Sequence, residues 1–201
     1  METLIKEPRT RNAKNTFNSI IESAIDLFYR RGYHGTTVKD ITKEAGVAAG
    51  TFYLYFPSKL DLYKHILIML SHEIRRTIAA KVNEKKSRYD KEREGIKAFI
   101  LLVKEQPYMY NIIWESLYID RELFKDYYES FASRYVKGLN QSASEGEIRD
   151  LDTEIVSYIL MGITNFIGLK VALDLGSSND DINHIVDVVM DLIKHGLFTK
   201  K

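Results

Sequence analysis

Residues 31–59 read RGYHGTTVKDITKEAGVAAGTFYLYFPSK, and this stretch decides the fold. Thr36 or Thr37 is a good helix N-cap, because a hydroxyl there accepts from backbone N–H groups that lack a partner inside the helix. Val38, Ile41 and Ala45 follow at i, i+3 and i+7, the spacing of one helical face. Gly46 comes next and can end that helix in a left-handed conformation at little steric cost. A second short helix can begin around Ala49. Two short helices joined by a Gly-containing turn form a helix-turn-helix, the arrangement that reads DNA.

The second of these helices has two chemically distinct faces. Phe52 and Phe56 stand at i and i+4 and are expected to point inward with Val47. Gly50, Thr51, Tyr53 and Tyr55 are left largely on the other side. That side offers a small residue for close approach, a hydroxyl and two phenols that can reach phosphate oxygens. Pro57 ends the helix. Ser58 is expected to cap the next one together with Asp61, which leaves Lys59 in the first turn to meet a phosphate.

The run Gly46-Val47, Gly50-Thr51-Phe52-Tyr53-Leu54-Tyr55-Phe56 and Ser58-Lys59-Leu60-Asp61-Leu62 resembles the N-terminal domain of TetR-type transcription regulators. Phe28, Gly32, Tyr33, Gly35, Thr36, Thr37 and Ile41 fit the same pattern. The resemblance covers roughly residues 15–66; the rest of the chain fits by length and helical pattern. It implies an all-α protein of about nine helices: a three-helix DNA-binding head at residues 1–57, then a helical-bundle domain for ligand binding and dimerisation at 58–201. It implies a bacterial, cytoplasmic transcriptional regulator, a repressor released by a small apolar or aromatic ligand. The alternative is a DNA-binding protein of the same fold without a small-molecule inducer, acting on the nucleoid or in cell division.

The partner implied is double-stranded DNA carrying a near-palindromic operator, since a dimer presents two reading heads about one helical turn apart. Ala49, Gly50 and Thr51 are placed nearest the base edges, while Thr37, Lys39, Tyr53, Tyr55 and Lys59 hold phosphates and set register. Ala48 and Ala49 stand where the family often has polar or charged side chains. Small apolar groups there favour thymine methyls, with a share of shape readout.

Composition agrees with a soluble helical protein and excludes several chemistries. The chain has 201 residues, three prolines and no cysteine, so disulfides, thiolate catalysis and cysteine zinc sites are ruled out. Residues 1–60 hold nine Lys/Arg against six Asp/Glu, whereas 61–201 hold twenty against twenty-two, so the first third suits a polyanion. No apolar run is expected to reach the roughly 18–20 residues of a membrane span, and the N-terminus lacks the apolar core of a signal peptide. His65 and His72 are two helical turns apart and cannot share a metal as an i, i+4 pair can. With no nucleophile elbow, P-loop or dinucleotide fingerprint, the chain reads as a non-enzyme without metal or cofactor.

The remaining helices follow from 3.6-residue periodicity. Residues 15–31 read as the first helix, after a polar tail carrying Arg9, Arg11 and Lys14. A long fourth helix is predicted at 58–82, a fifth at 91–105, a sixth opened by Pro107, and a seventh at 121–138 ending near Gly138. The segment 108–135 is dense in aromatic residues. Tyr110, Trp114, Tyr128 and Phe131 are candidates to line a ligand cavity. The eighth helix, 151–173, is apolar over most of its circumference and so needs more than one neighbour. Asn165 interrupts it and needs a polar partner, either protein or ligand. Ser178 with Asp181 caps the ninth, 179–196. In the resembled family the last two helices form the homodimer interface.

Overall fold

The computed structural model describes residues 5, 8–85, 87–174 and 178–196, the side chain of Asn179 excepted. Among them stand nine α-helices and no strand: α1 (Arg11–Arg31), α2 (Val38–Glu44), α3 (Ala49–Tyr55), α4 (Lys59–Val82), α5 (Arg88–Glu105), α6 (Tyr108–Ile119), α7 (Arg121–Ser144), α8 (Thr153–Leu173) and α9 (Asn179–His195). Most begin where a side-chain oxygen can accept from a first-turn N–H. Thr10, Ser87 and Asp152 cap α1, α5 and α8. Thr37 with Asp40 and Ser178 with Asp181 form reciprocal capping boxes on α2 and α9.

α5 starts three residues early, at Arg88, and α8 two residues late, at Thr153, and two helix ends differ more widely from the periodicity. α1 starts at Arg11 rather than at residue 15, because Thr10 caps it before the apolar stripe begins. α7 passes Gly138 and runs to Ser144. A Cβ at position 138 would lie 2.9 Å from Nη1 of Arg88, so this glycine admits a guanidinium and the helix continues through it. The expectation of no membrane-length apolar segment is also corrected: α8 is long and apolar enough to cross a bilayer by length and composition alone.

The chain divides into two compact units. The first comprises Met1–His72 and Tyr108–Tyr128, and the second Glu73–Pro107 and Glu129–Lys201. α4 and α7 contribute residues to both.

In the first unit, α1, α2, α3, the start of α4 and α6 share one core. Ile20, Leu27, Phe28, Ile41, Phe52, Phe56, Tyr63 and Ile112 are buried in it. Aromatic rings fill its centre, with Phe56 against Phe52 at 5.7 Å and Tyr63 edge-on to both Phe28 and Tyr33. In the second unit, Ile96 and Ile100 of α5, Val171 of α8 and Ile182, Val186, Val189 and Met190 of α9 form the main cluster. Arg88 and Glu92 are also buried there as an ion pair. The Tyr135 hydroxyl donates to Glu92, and the guanidinium lies 5.1 Å from the Tyr135 ring centre. Burial, then the neighbouring Glu92 charge, push the Tyr135 phenol well above its usual range.

Candidate nucleic-acid interface

The α2–turn–α3 segment is locked from inside. Ala45 ends α2, and Gly46 takes φ 68°, the left-handed conformation that costs glycine little. The Val47 N–H then donates back to the Thr42 carbonyl at 2.9 Å. α3 is a seven-residue helix, AGTFYLY, held down by Phe52 and by Phe56 at its end, both fully buried. Its Ala48 N-cap supplies no side-chain acceptor.

What remains outward on α3 is small or apolar, with one phenol. Ala48, Ala49 and Gly50 are exposed, Tyr53 is 57 % exposed and Leu54 68 %. Thr51 and Tyr55 are half-buried, and the Tyr55 ring meets Phe17 edge-on at 5.5 Å. A Cβ built on Gly50 would touch nothing within 4 Å, and its φ is not left-handed. The fold therefore does not need glycine there. Leu54, four residues on from Gly50 and thus on the same face, was not singled out by sequence reasoning, although helical spacing points to it.

Thr37 and Lys39 sit at the start of α2. The Thr37 hydroxyl is engaged in the cap, donating to Asp40 Oδ2 at 2.5 Å and accepting from the Asp40 N–H at 3.2 Å. That hydrogen bond from the hydroxyl, followed by one from the Thr37 N–H, holds the Asp40 carboxyl below its usual pKa. Lys39 is exposed. Lys59 is placed differently from a freely extended cation. Its ammonium donates to the carbonyls of Tyr33 (2.7 Å) and Thr36 (2.6 Å) and lies 4.0 Å from the Tyr33 ring centre. An ammonium has three N–H donors, so one is left for an outside acceptor. Burial lowers the Lys59 pKa and the nearby Glu115 charge opposes that shift.

The candidate ligand residues fall into two sets. Tyr110, Trp114 and Tyr128 come together in the first unit. Tyr110 and Trp114 have ring centres 6.4 Å apart, and Trp114 is hydrogen-bonded to the Tyr128 phenol. Burial pushes Tyr128 up to about 12, with the Trp114 hydrogen bond pulling the other way. Burial, then the Tyr128 charge, raise Tyr110 as well. Phe131 and Asn165 belong to the second unit. The Arg75 guanidinium lies 5.1 Å from the Phe131 ring centre, and Asn165 Nδ2 donates to the Met161 carbonyl at 2.8 Å. Among the described residues, no group of three or more His, Asp and Glu side chains is placed to hold a metal ion.

Comparison with known proteins places the head. Residues 20–66 match the family of bacterial regulatory proteins, tetR family. The uncharacterized HTH-type transcriptional regulator YuxN of Bacillus subtilis (strain 168) is 42 % identical over 66 residues, a third of this chain and 22 % of that protein. The chain thus matches about a fifth of the length of this relative. Two solved structures share the fold. The fatty acid degradation regulator FadR from Bacillus halodurans superposes with a TM-score of 0.81 at 20 % identity, over 96 % of this chain and all of that one. FadR from Bacillus subtilis in complex with stearoyl-CoA gives 0.74 at 21 % identity, over 90 % of this chain and all of that one. Residues 20–66 thus carry the match to bacterial regulatory proteins of the tetR family, and the helical fold of the described residues is the one these two structures share.

Proposed function

We propose that this protein is a sequence-specific, homodimeric transcriptional regulator that binds a near-palindromic operator and is released from it by a small apolar ligand. The outer face of α3 carries the reading. Gly50 has no structural reason to lack a side chain, costs helix stability, and is flanked on the surface by Tyr53 and Leu54. A bare, carboxylate-free helix face suits close approach to a groove, with Ala49 and Thr51 beside base edges and Tyr53, Tyr55, Lys39 and Thr37 toward phosphates. In this reading residues 1–57 form the DNA-binding domain, 58–201 serve ligand binding and dimerisation, and the protein works in the cytoplasm.

Two further features support it. Ile155, Ile159 and Phe166 on α8 and Val188 and Leu192 on α9 are exposed apolar side chains on helices that pack their other sides against α5. A second copy covering them would remove that surface from water and pair two reading heads. The aromatic group Tyr110, Trp114 and Tyr128 suits a ligand with an apolar body and few polar groups, and Phe131 and Asn165 are the candidates of the second unit. Because FadR from Bacillus subtilis is in complex with stearoyl-CoA, a long-chain acyl thioester is the effector class to try first.

The test is selection of bound sequences from a random duplex pool, with wild-type protein and with Tyr53→Ala. Enrichment of a near-palindrome by the wild type, lost in the variant, is the expected result. A folded wild-type dimer that enriches nothing at moderate salt, even after bound small molecules are extracted, overturns the proposal.

A further inference from the structure

Outside the helix-turn-helix, one side chain reaches into the head's first turn. Glu115, near the end of α6, accepts from the Tyr33 N–H through Oε1 at 2.7 Å. The space for that oxygen exists because residue 32 is glycine. Gly32 has φ 71°, and a Cβ on it would lie 2.8 Å from the same Oε1. Both the conformation and the missing side chain are thus required. On its other side Tyr33 is held by Lys59, whose ammonium donates to the Tyr33 and Thr36 carbonyls. The main-chain N–H and C=O of Tyr33 are therefore bracketed by a carboxylate from α6 and an ammonium from α4. Tyr63 adds a second tie, its buried hydroxyl donating to the Ile112 carbonyl of α6. The residue before Glu115 is Trp114, which is bonded to Tyr128.

We propose that Glu115 is a positioning residue for DNA binding: from α6 it fixes the turn before α2 and, through Tyr33, the Lys59 ammonium whose remaining N–H meets a DNA phosphate. This rests on the DNA-binding reading above and deepens it. The adjacent Trp114 gives the aromatic group a one-residue link to the turn.

The sign of the effect separates this role from plain electrostatics. Removing a carboxylate from a head that binds a polyanion should strengthen binding by charge alone. A positioning role predicts the reverse. The experiment measures binding of the selected operator duplex by fluorescence anisotropy across a salt series, with thermal unfolding alongside, for wild type, Glu115→Ala and Glu115→Gln. Glutamine keeps an amide oxygen that can accept from the Tyr33 N–H. The expected result for Glu115→Ala is an affinity loss of about tenfold or more and a plot of log affinity against log salt shallower by about one unit per lost phosphate contact, with Glu115→Gln restoring most of the affinity. Unchanged or tighter binding by Glu115→Ala overturns the proposal. So does a loss that glutamine does not rescue and that parallels a fall in melting temperature, since that marks a merely structural contact. Wild-type protein that binds no duplex defeats the DNA-binding reading itself, a result visible without any variant.

Discussion

Phe17 of α1 lies stacked on Phe56 at the end of α3, ring centres 5.1 Å apart and planes inclined by 19°. This pair fastens α3 to the first helix of the head, with Phe52 and His65 closing around Phe56. Phe56 is fully buried, and a buried Phe cut to Ala typically costs about 3–5 kcal/mol. Phe56→Ala is therefore expected to lower stability by about that amount in urea unfolding. A change under about 1 kcal/mol would mean that α3 is not held by this ring.

Gly50→Ala should move stability and DNA binding in opposite directions. Alanine gains up to about 1 kcal/mol over glycine in a helix interior and less in a first turn, where Gly50 stands, and nothing lies within 4 Å of the added Cβ. The melting temperature is expected to rise slightly while operator affinity falls. A variant that melts higher and binds DNA as well as wild type would show that the surface of α3 does not come close to a groove at this point.

Ile159→Glu places a charge on the outward face of α8, where Ile159 is 54 % exposed. The change should leave helix content intact, since the side chain is not in the core of its own chain. Sedimentation equilibrium is expected to show wild-type dimer and variant monomer at micromolar concentration. A variant that stays dimeric would move the interface off this face.

The alkaline limb of stability should depend on Tyr128. Burial raises its pKa to about 12 from the ordinary value of 10.0. The folded state thus holds the phenol proton more tightly than the unfolded chain does. Its contribution is fully present below pH 10 and is lost as pH rises from 10 toward 12. Urea midpoints taken at pH 8, 10 and 11 should fall more steeply for wild type than for Tyr128→Phe. Parallel curves would show that Tyr128 is solvated.

Short-range chemistry makes the head legible in the sequence. Thr37 with Asp40, Gly46, and the Phe52 and Phe56 spacing each act over four residues or fewer, and each stands where that chemistry demands. Tyr110 and Trp114 are within reach for the same reason, being one helical turn apart. Tyr128 joins them only through the packing of α7 on α6, and Phe131, three residues further, lies in the other unit. Glu115 cannot be found this way. Its partner Tyr33 is 82 residues distant, and a half-buried carboxylate on a helix has the same local pattern as a solvated one. Gly138 misleads because a glycine that admits a distant guanidinium looks, in sequence, like one that stops a helix.

Dimerisation through the outward apolar face of α8, as proposed above, would tie the survival of this protein to the amount made. If a second copy is what covers Ile155, Ile159 and Phe166, completing that half of the molecule is a second-order event. Dilution lengthens the time each new chain spends with the face wet, open to proteases and wrong partners. Such a protein has a threshold titre, below which new chains are lost faster than they pair, and above which a further chain is protected by those already present.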